Sequence, residues 1–305
     1  MVGCTVIKRD ECLRHHYIES YVLPASPRNV LQVFVNSNRD QVIKGIASAS
    51  SHEREDLKVY LSSLDSLSTA EQDLLSMLPI FRMMSGKHVA VKSRQAVVST
   101  TNPAIPNDLP MPDTIVQCAN EADRRLLTLL KIELLDAANV AVYLVDCIKT
   151  GFFQNAEEQS IMTWILNNGS ILFSQSKQLL IKMKSLNFIE ATQGERKQAS
   201  DVFDPRNRTF QDLFETDFFP PPIYTKTQEM LQSLQCLGLK TNQKEISTTN
   251  ILQVINHIEK LCVHSSDKAV RKANTLVQVL NENDFLSKFT KVQIGELMQR
   301  EVGVL

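Results

Sequence analysis

The stretch Ser68 to Lys92, STAEQDLLSMLPIFRMMSGKHVAVK, changes its period half-way along. In its first half a serine stands three residues before Glu71, so each side chain can satisfy a free amide at a helix start, and Leu74, Leu75 and Leu78 follow at helical spacing. Pro79 ends that helix, since it has no amide hydrogen to continue the ladder. Beyond it, Pro79 to Met83 and Lys87 to Lys92 flank Ser85-Gly86, a turn pair, and this predicts a β-hairpin. An amphipathic helix running straight into a hairpin places the chain in the α+β class.

Working outward, helix dominates. Three-to-four spacing of apolar residues predicts helices over 27–35, 40–64, 123–135, 140–150, 156–166, 175–186, 249–262 and 267–280. Thr225 and Gln228 repeat the capping pattern and open a further helix with the stripe Met230, Leu231 and Leu234; Gly238 supplies the left-handed residue that stops it, with Leu239 closing the cap. Asn187 to Ala191 and Ala199 to Phe203 read as edge strands of a small sheet. The fold is therefore α+β and predominantly helical, a small β-hairpin or sheet packed with amphipathic helices in about two lobes. A pure helical-repeat scaffold would be a solenoid, and the hairpin argues against one.

Two stretches read as linkers. Thr100 to Pro112 holds four prolines in thirteen residues. The other is Asp204 to Pro222, DPRNRTFQDLFETDFFPPP, in a chain only 6% aromatic. Here Asp204-Pro205 favours a turn, Asn207 can cap a short helix over 209–214, and Phe210, Leu213 and Phe214 share a face of it. Phe218 to Pro222 follows as an extended piece, because each proline restrains its predecessor. Its two phenylalanines read as a plug into the core, and the segment as a buckle between the lobe before it and the helix after it. These signals divide the chain into 1–112, a helical segment plus the LPIF hairpin; 113–200, a helical lobe with edge strands; and 201–305, the DPRN/FFPPP connector with a C-terminal helical segment.

The 305 residues are 43% hydrophobic, enough for a real core, and the formal net charge of −1 gives no global field toward nucleic acid or an anionic membrane. Six cysteines without a C-x-x-C pair read as reduced core thiols of a cytoplasmic protein. No apolar run is long enough for a membrane span, and the N-terminus has no signal-like apolar core, so the expectation is neither secretion nor membrane insertion, unless the chain is a fragment of something larger.

No catalytic constellation emerges. Nine scattered glycines assemble no phosphate-cradling loop, and G-x-S-x-G and H-E-x-x-H are absent. Cys4, Cys12, His15 and His16 offer soft and imidazole ligands, but the gap between the cysteines does not suit tetrahedral zinc; one core cysteine and a solvated histidine pair is the plainer reading. Arg9 and His15 have an Arg-to-His spacing used by some helical ribonucleases, with histidine as acid or base, and the enzymatic alternative is a nucleotide-dependent or RNA-cleaving domain with a degenerate site. The carboxylates of His52-Glu-Arg-Glu-Asp56 and Glu157-Glu158 read as solvated helix faces, and Trp164 as core. No catalytic, cofactor-binding or metal residue is assigned, and no cofactor is expected.

Several blocks nevertheless point one way. Tyr21 to Val30 (YVLPASPRNV), Leu74 to Phe81 (LLSMLPIF) with Gly86, Asp201 to Asn207 (DVFDPRN), and Phe218 to Pro220 leading to LQCLGL at Leu234 to Leu239 resemble the repeat region of sacsin and sacsin-like proteins, in the family's order. The resemblance covers about residues 20 to 285. It implies part of a very large cytosolic chaperone-related protein whose repeats join an ATPase domain, like that of the ninety-kilodalton heat-shock protein, to a downstream region carrying these blocks. It also implies a J domain elsewhere that engages the seventy-kilodalton heat-shock protein. This sequence holds neither the D-x-G-x-G loop of the ATPase nor the His-Pro-Asp of a J domain. What the resemblance implies here is a downstream, non-nucleotide portion of one repeat: a non-enzymatic chaperone-type scaffold whose partners are client proteins or chaperones. The matched blocks are structural signatures, so no functional residue is carried over.

Overall fold

A computed structural model describes residues 25–98, 101–190, 194–264 and 266–282. It is α+β and mostly helical, with one five-stranded sheet and one two-stranded sheet among the described residues. The chain forms two compact units, the first from residues up to Cys147 together with Phe153–Ile161, the second from Ile148–Phe152 and from Met162 onward. No helix among the described residues is long and apolar enough to cross a membrane.

In the first unit, α1 (Pro27–Asn36), α2 (Arg39–Ser48), α3 (Ser51–Leu61) and α4 (Thr69–Met77) each begin at a side-chain cap. The single helix expected over 40–64 is two. Ser50 and Glu53 make a capping box, and the extended backbone of Ala49 and Ser50 breaks the ladder there, because a serine three before a glutamate offers the backbone a new start. Ser68 and Glu71 cap α4 as read, and the hairpin follows as β1 (Phe81–Met83) and β2 (His88–Val89), antiparallel.

The sheet order is β2-β1-β4-β3-β5, with β3 (Gln95–Val98), β4 (Ile115–Cys118) and β5 (Leu134–Leu135) parallel to one another. The described part of the proline-rich stretch, 101–112, is thus no linker between packed units but belongs to the crossover between two parallel strands of one sheet, held by the buried Leu109. The helix expected over 123–135 stops early, as α5 (Glu121–Leu129). Lys131 takes a left-handed φ of 56°, its neighbour's amide closes on Leu127, and Leu134 pairs with Ala96 instead of continuing the helix. The core lies between the helices and the sheet, around Leu31, Leu74, Phe81, Val116 and Leu126.

The second unit takes in the end of α6 (Ala137–Lys149) and of α7 (Asn155–Asn167), then α8 (Gly169–Gln175) and α9 (Lys177–Lys184). α8 carries no strong sequence signal. It exists because Gly169 lets it close on α11 (Gln228–Leu237): a Cβ there would stand 2.2 Å from Ser233 Oγ, which donates to the Leu166 carbonyl at 2.6 Å. Ile189–Glu190 (β6) pairs with Arg196–Lys197 (β7). The strand expected over 199–203 is a single 3₁₀ turn, Ala199–Asp201, with only Phe203 bridged to Lys240, since the Gln198 and Asp201 capping pair favours a turn. α11 takes its cap from Thr227, two residues later than expected, because Pro222–Tyr224 takes the preceding turn. It ends at Gly238, φ 111°, with the Leu239 amide reaching back to the Leu234 carbonyl and the Leu239 side chain buried. A long helical pair, α12 (Thr248–His264) and α13 (Ser266–Glu282), completes the unit.

Candidate binding groove

The segment from Asp204 to Pro222 is built from its turn outward. Asp204 is buried, and its carboxylate accepts from the Arg206 amide at 2.9 Å and from the guanidinium at 3.0 and 2.7 Å. Burial pushes this carboxyl up, but the side-chain and backbone hydrogen bonds from Arg206 outweigh it and hold it below the usual range. Asn207 then caps α10 (Arg208–Leu213) by accepting from the Thr209 amide. Phe210, Leu213 and Phe214 face inward as read and join Phe203, whose ring stacks on Phe214 at 4.1 Å and meets Phe210 at 4.8 Å. This aromatic cluster packs on α12 and α13 through Val254, Ile258 and Leu276. Phe218 and Phe219 are only half-buried at its edge, so the plug is Phe203 and Phe214 rather than the adjacent pair.

That edge opens into a groove of about 1060 Å³. Its apolar lining includes Phe214, Phe219, Pro220, Pro221 and Leu261, and its charged rim mixes acids, among them Glu190, Asp212, Glu215 and Asp217, with Lys268, Arg271 and Lys272. A smaller bay of about 440 Å³ shares Phe214, Glu215 and His257 with it. Glu215 spans the gap between the α10 side and the helical pair: its Oε1 takes Lys272 Nζ at 2.7 Å and His257 Nε2 at 3.0 Å. Lys272, mostly buried, also donates to the Leu213 carbonyl at 3.1 Å. These bonds, Lys272 first, hold the Glu215 carboxyl below its ordinary range despite partial burial. Pro220 and Pro221 stiffen the backbone of the near wall.

The other charged cluster lies in the first unit and escaped the sequence. Lys58 is 1% exposed and meets Asp123 at 2.7 Å and Glu55 at 2.5 Å; Glu55 in turn meets His88 at 3.0 Å. Asp123 Oδ2 accepts from the amides of Ala119 and Asn120, capping α5, while Oδ1 has the lysine as a close ion pair without a well-directed hydrogen bond. Burial pushes Glu55 up, and the hydrogen bonds from Lys58 and His88 more than reverse it. The run His52 to Asp56 therefore mixes roles: His52 and Asp56 pair at 3.6 Å on the solvated face as expected, whereas Glu55 turns inward. A lysine six residues after a histidine carries no sign of burial in the sequence.

Trp164 is core, as read. The thiols divide: Cys118 is buried, and burial and the nearby Asp123 push its pKa up; Cys147 is half-buried; Cys236 and Cys262 are exposed, contrary to the reading of core thiols, because they fall on the outward faces of α11 and α12. Arg9 and His15, and Cys4, Cys12, His15 and His16, lie outside the described residues. Among the described residues no three acidic, histidine or cysteine side chains gather as a metal site.

The chain is 29% identical to sacsin of Homo sapiens over 295 residues, which is 93% of this chain. The chain is thus similar to sacsin over nearly its whole length. It spans only 6% of the length of that relative. No protein-family description and no solved structure matches it. Three of the resembling blocks sit at junctions: LPIF turns α4 into β1, DPRN builds the Asp204 turn, and LGL closes α11.

Proposed function

We propose that this chain is a non-enzymatic protein-interaction module of a sacsin-like protein, a chaperone or co-chaperone-type scaffold serving folding and quality control in the cytoplasm. Its link to the seventy-kilodalton heat-shock protein would run through the parent protein. The observation that carries the reading is the groove of the second unit, with a proline- and phenylalanine-lined floor and a charged rim, in a chain similar to sacsin over nearly all its length. Unfolding polypeptides expose apolar side chains in extended backbone, and such a groove offers them contact without a chemical step.

The test is light scattering of an aggregating model client with the 305-residue chain at stoichiometric ratio. Slowed aggregation is the expected result; an unchanged time course refutes the chaperone role. ATP calorimetry and RNA cleavage run alongside, against His15→Ala. Turnover that this substitution abolishes would replace the module by the enzymatic alternative.

A further inference from the structure

A half-buried lysine of the second unit stands without a carboxylate beside it. The backbone of Lys240 is pinned next to Phe203: its amide donates to the Val202 carbonyl at 3.0 Å, and its carbonyl accepts from the Asp204 amide at 2.8 Å. That bridge fixes where the side chain starts, and its ammonium lies over the Phe203 ring, 4.9 Å from the centroid. Its hydrogen-bond acceptor is Asn250 Oδ1 at 3.5 Å, an oxygen already taken by the Ser247 hydroxyl at 2.7 Å and the Ser247 amide at 3.2 Å. Lys240 makes no ion pair among the described residues. Lys58, Lys272 and Lys197, which are also withdrawn from solvent, are better served: Lys58 meets Glu55 and Asp123, Lys272 meets Glu215, and Lys197 donates to the Asp217 carbonyl at 2.8 Å.

We propose that Lys240 is a site of acylation, its amine accepting an acyl group from a small acyl thioester. An aromatic face and one shared acceptor replace little of the water that an ammonium loses on burial, so the neutral amine is favoured there, and the neutral amine is the nucleophile. Burial pushes the Lys240 pKa down, and Asp201 and Glu245, which favour the ammonium, do not reverse it. In the reaction the lone pair of Nζ attacks the thioester carbonyl carbon, the C–S bond breaks, and the amine proton passes to the departing thiolate, leaving an amide and a free thiol. The acylated side chain carries no charge to place on Phe203, so the modification removes the cation–π contact at the aromatic cluster.

The experiment incubates the full chain with acetyl-coenzyme A and follows each lysine by peptide mass spectrometry. Lys244, exposed and four residues along, is the internal comparison. Near neutral pH Lys240 should be acetylated about three-fold or more faster than Lys244, and the ratio should shrink as pH approaches about 10, where exposed lysines lose their protons as well. In guanidinium chloride, with the fold gone, the two should react alike. Asn250→Asp keeps an oxygen for Ser247 and sets a carboxylate beside the ammonium, so it should slow Lys240 and leave Lys244 unchanged, with circular dichroism as the check on folding. If that variant does not fold, the wild-type ratio and its pH profile decide by themselves. A Lys240 rate no higher than that of Lys244 near neutral pH, a ratio that survives denaturation, or a folded Asn250→Asp chain that reacts like wild type overturns the proposal.

Discussion

Replacing Lys58 by methionine tests the buried network of the first unit. Methionine keeps the unbranched stem and removes the ammonium that lies 2.7 Å from Asp123, a carboxylate whose own side chain is only 2% exposed. Removing one partner of a buried pair leaves an uncompensated charge and costs about 3–5 kcal/mol. The two amides that Asp123 accepts, from Ala119 and Asn120, soften this, which sets the expectation at the lower end, about 3 kcal/mol. In melting temperature that is about 6–12 °C for a unit of this size. Asparagine at 123 keeps an oxygen for the same amides without a charge, so Lys58→Met with Asp123→Asn should be more stable than Lys58→Met alone, a coupling of about 1–3 kcal/mol. Because the chain has two units, global unfolding need not be two-state, and the readout is hydrogen exchange of peptides from α3, α5 and β4 under increasing urea. A loss below about 1 kcal/mol in Lys58→Met, or a double variant no better than the single, would refute the counter-ion account.

Phe203→Ala removes the ring at the centre of the aromatic cluster, fully buried against Phe210 and Phe214; it should destabilise the second unit by about 3–5 kcal/mol in urea unfolding and leave exchange in β1–β4 unchanged. Gly238→Ala puts a Cβ on a residue at φ 111°, 3.3 Å from the Ser200 Cβ, and should cost about 1 kcal/mol or more by the same titration. Burial raises the Glu71 carboxyl, but the amide and hydroxyl of Ser68 and the Arg28 guanidinium outweigh it, so its pKa is lowered on folding. The unfolded chain then binds the extra proton: this contribution is present above about pH 4.3 and is lost as pH falls through the folded value. Arg28→Ala should accordingly shrink the drop in urea midpoint between neutral and acid pH.

Caps were legible because a Ser-x-x-Glu pair acts within one turn: α4 begins where Ser68 says, and Gly238 stops α11 where a left-handed residue is needed. The same pairing at Ser50 and Glu53 separates α2 from α3, within a stretch whose apolar spacing reads as one helix. The groove was half visible, as an aromatic and proline segment without its opposite wall. Lys268 and Lys272 come from a helix some fifty residues away, so no spacing along the chain announces them.

By itself, then, the sequence determined the α+β class, most helix positions, the Asp204 turn with its capped α10, the hairpin, and the sacsin-like character, all of which rest on near neighbours or on ordered blocks. Tertiary structure alone decided the rest. β3, β4 and β5 are two to four residues long, too short for a periodic signal, and exist because each supplies the other's hydrogen bonds. Lys58 is buried because Asp123, 65 positions away, waits for it. The groove exists because α12 and α13 pack on the Phe203 cluster and leave its edge open. Local chemistry writes turns and caps into the chain, whereas strand pairing, buried charge and clefts depend on which distant residues folding brings together.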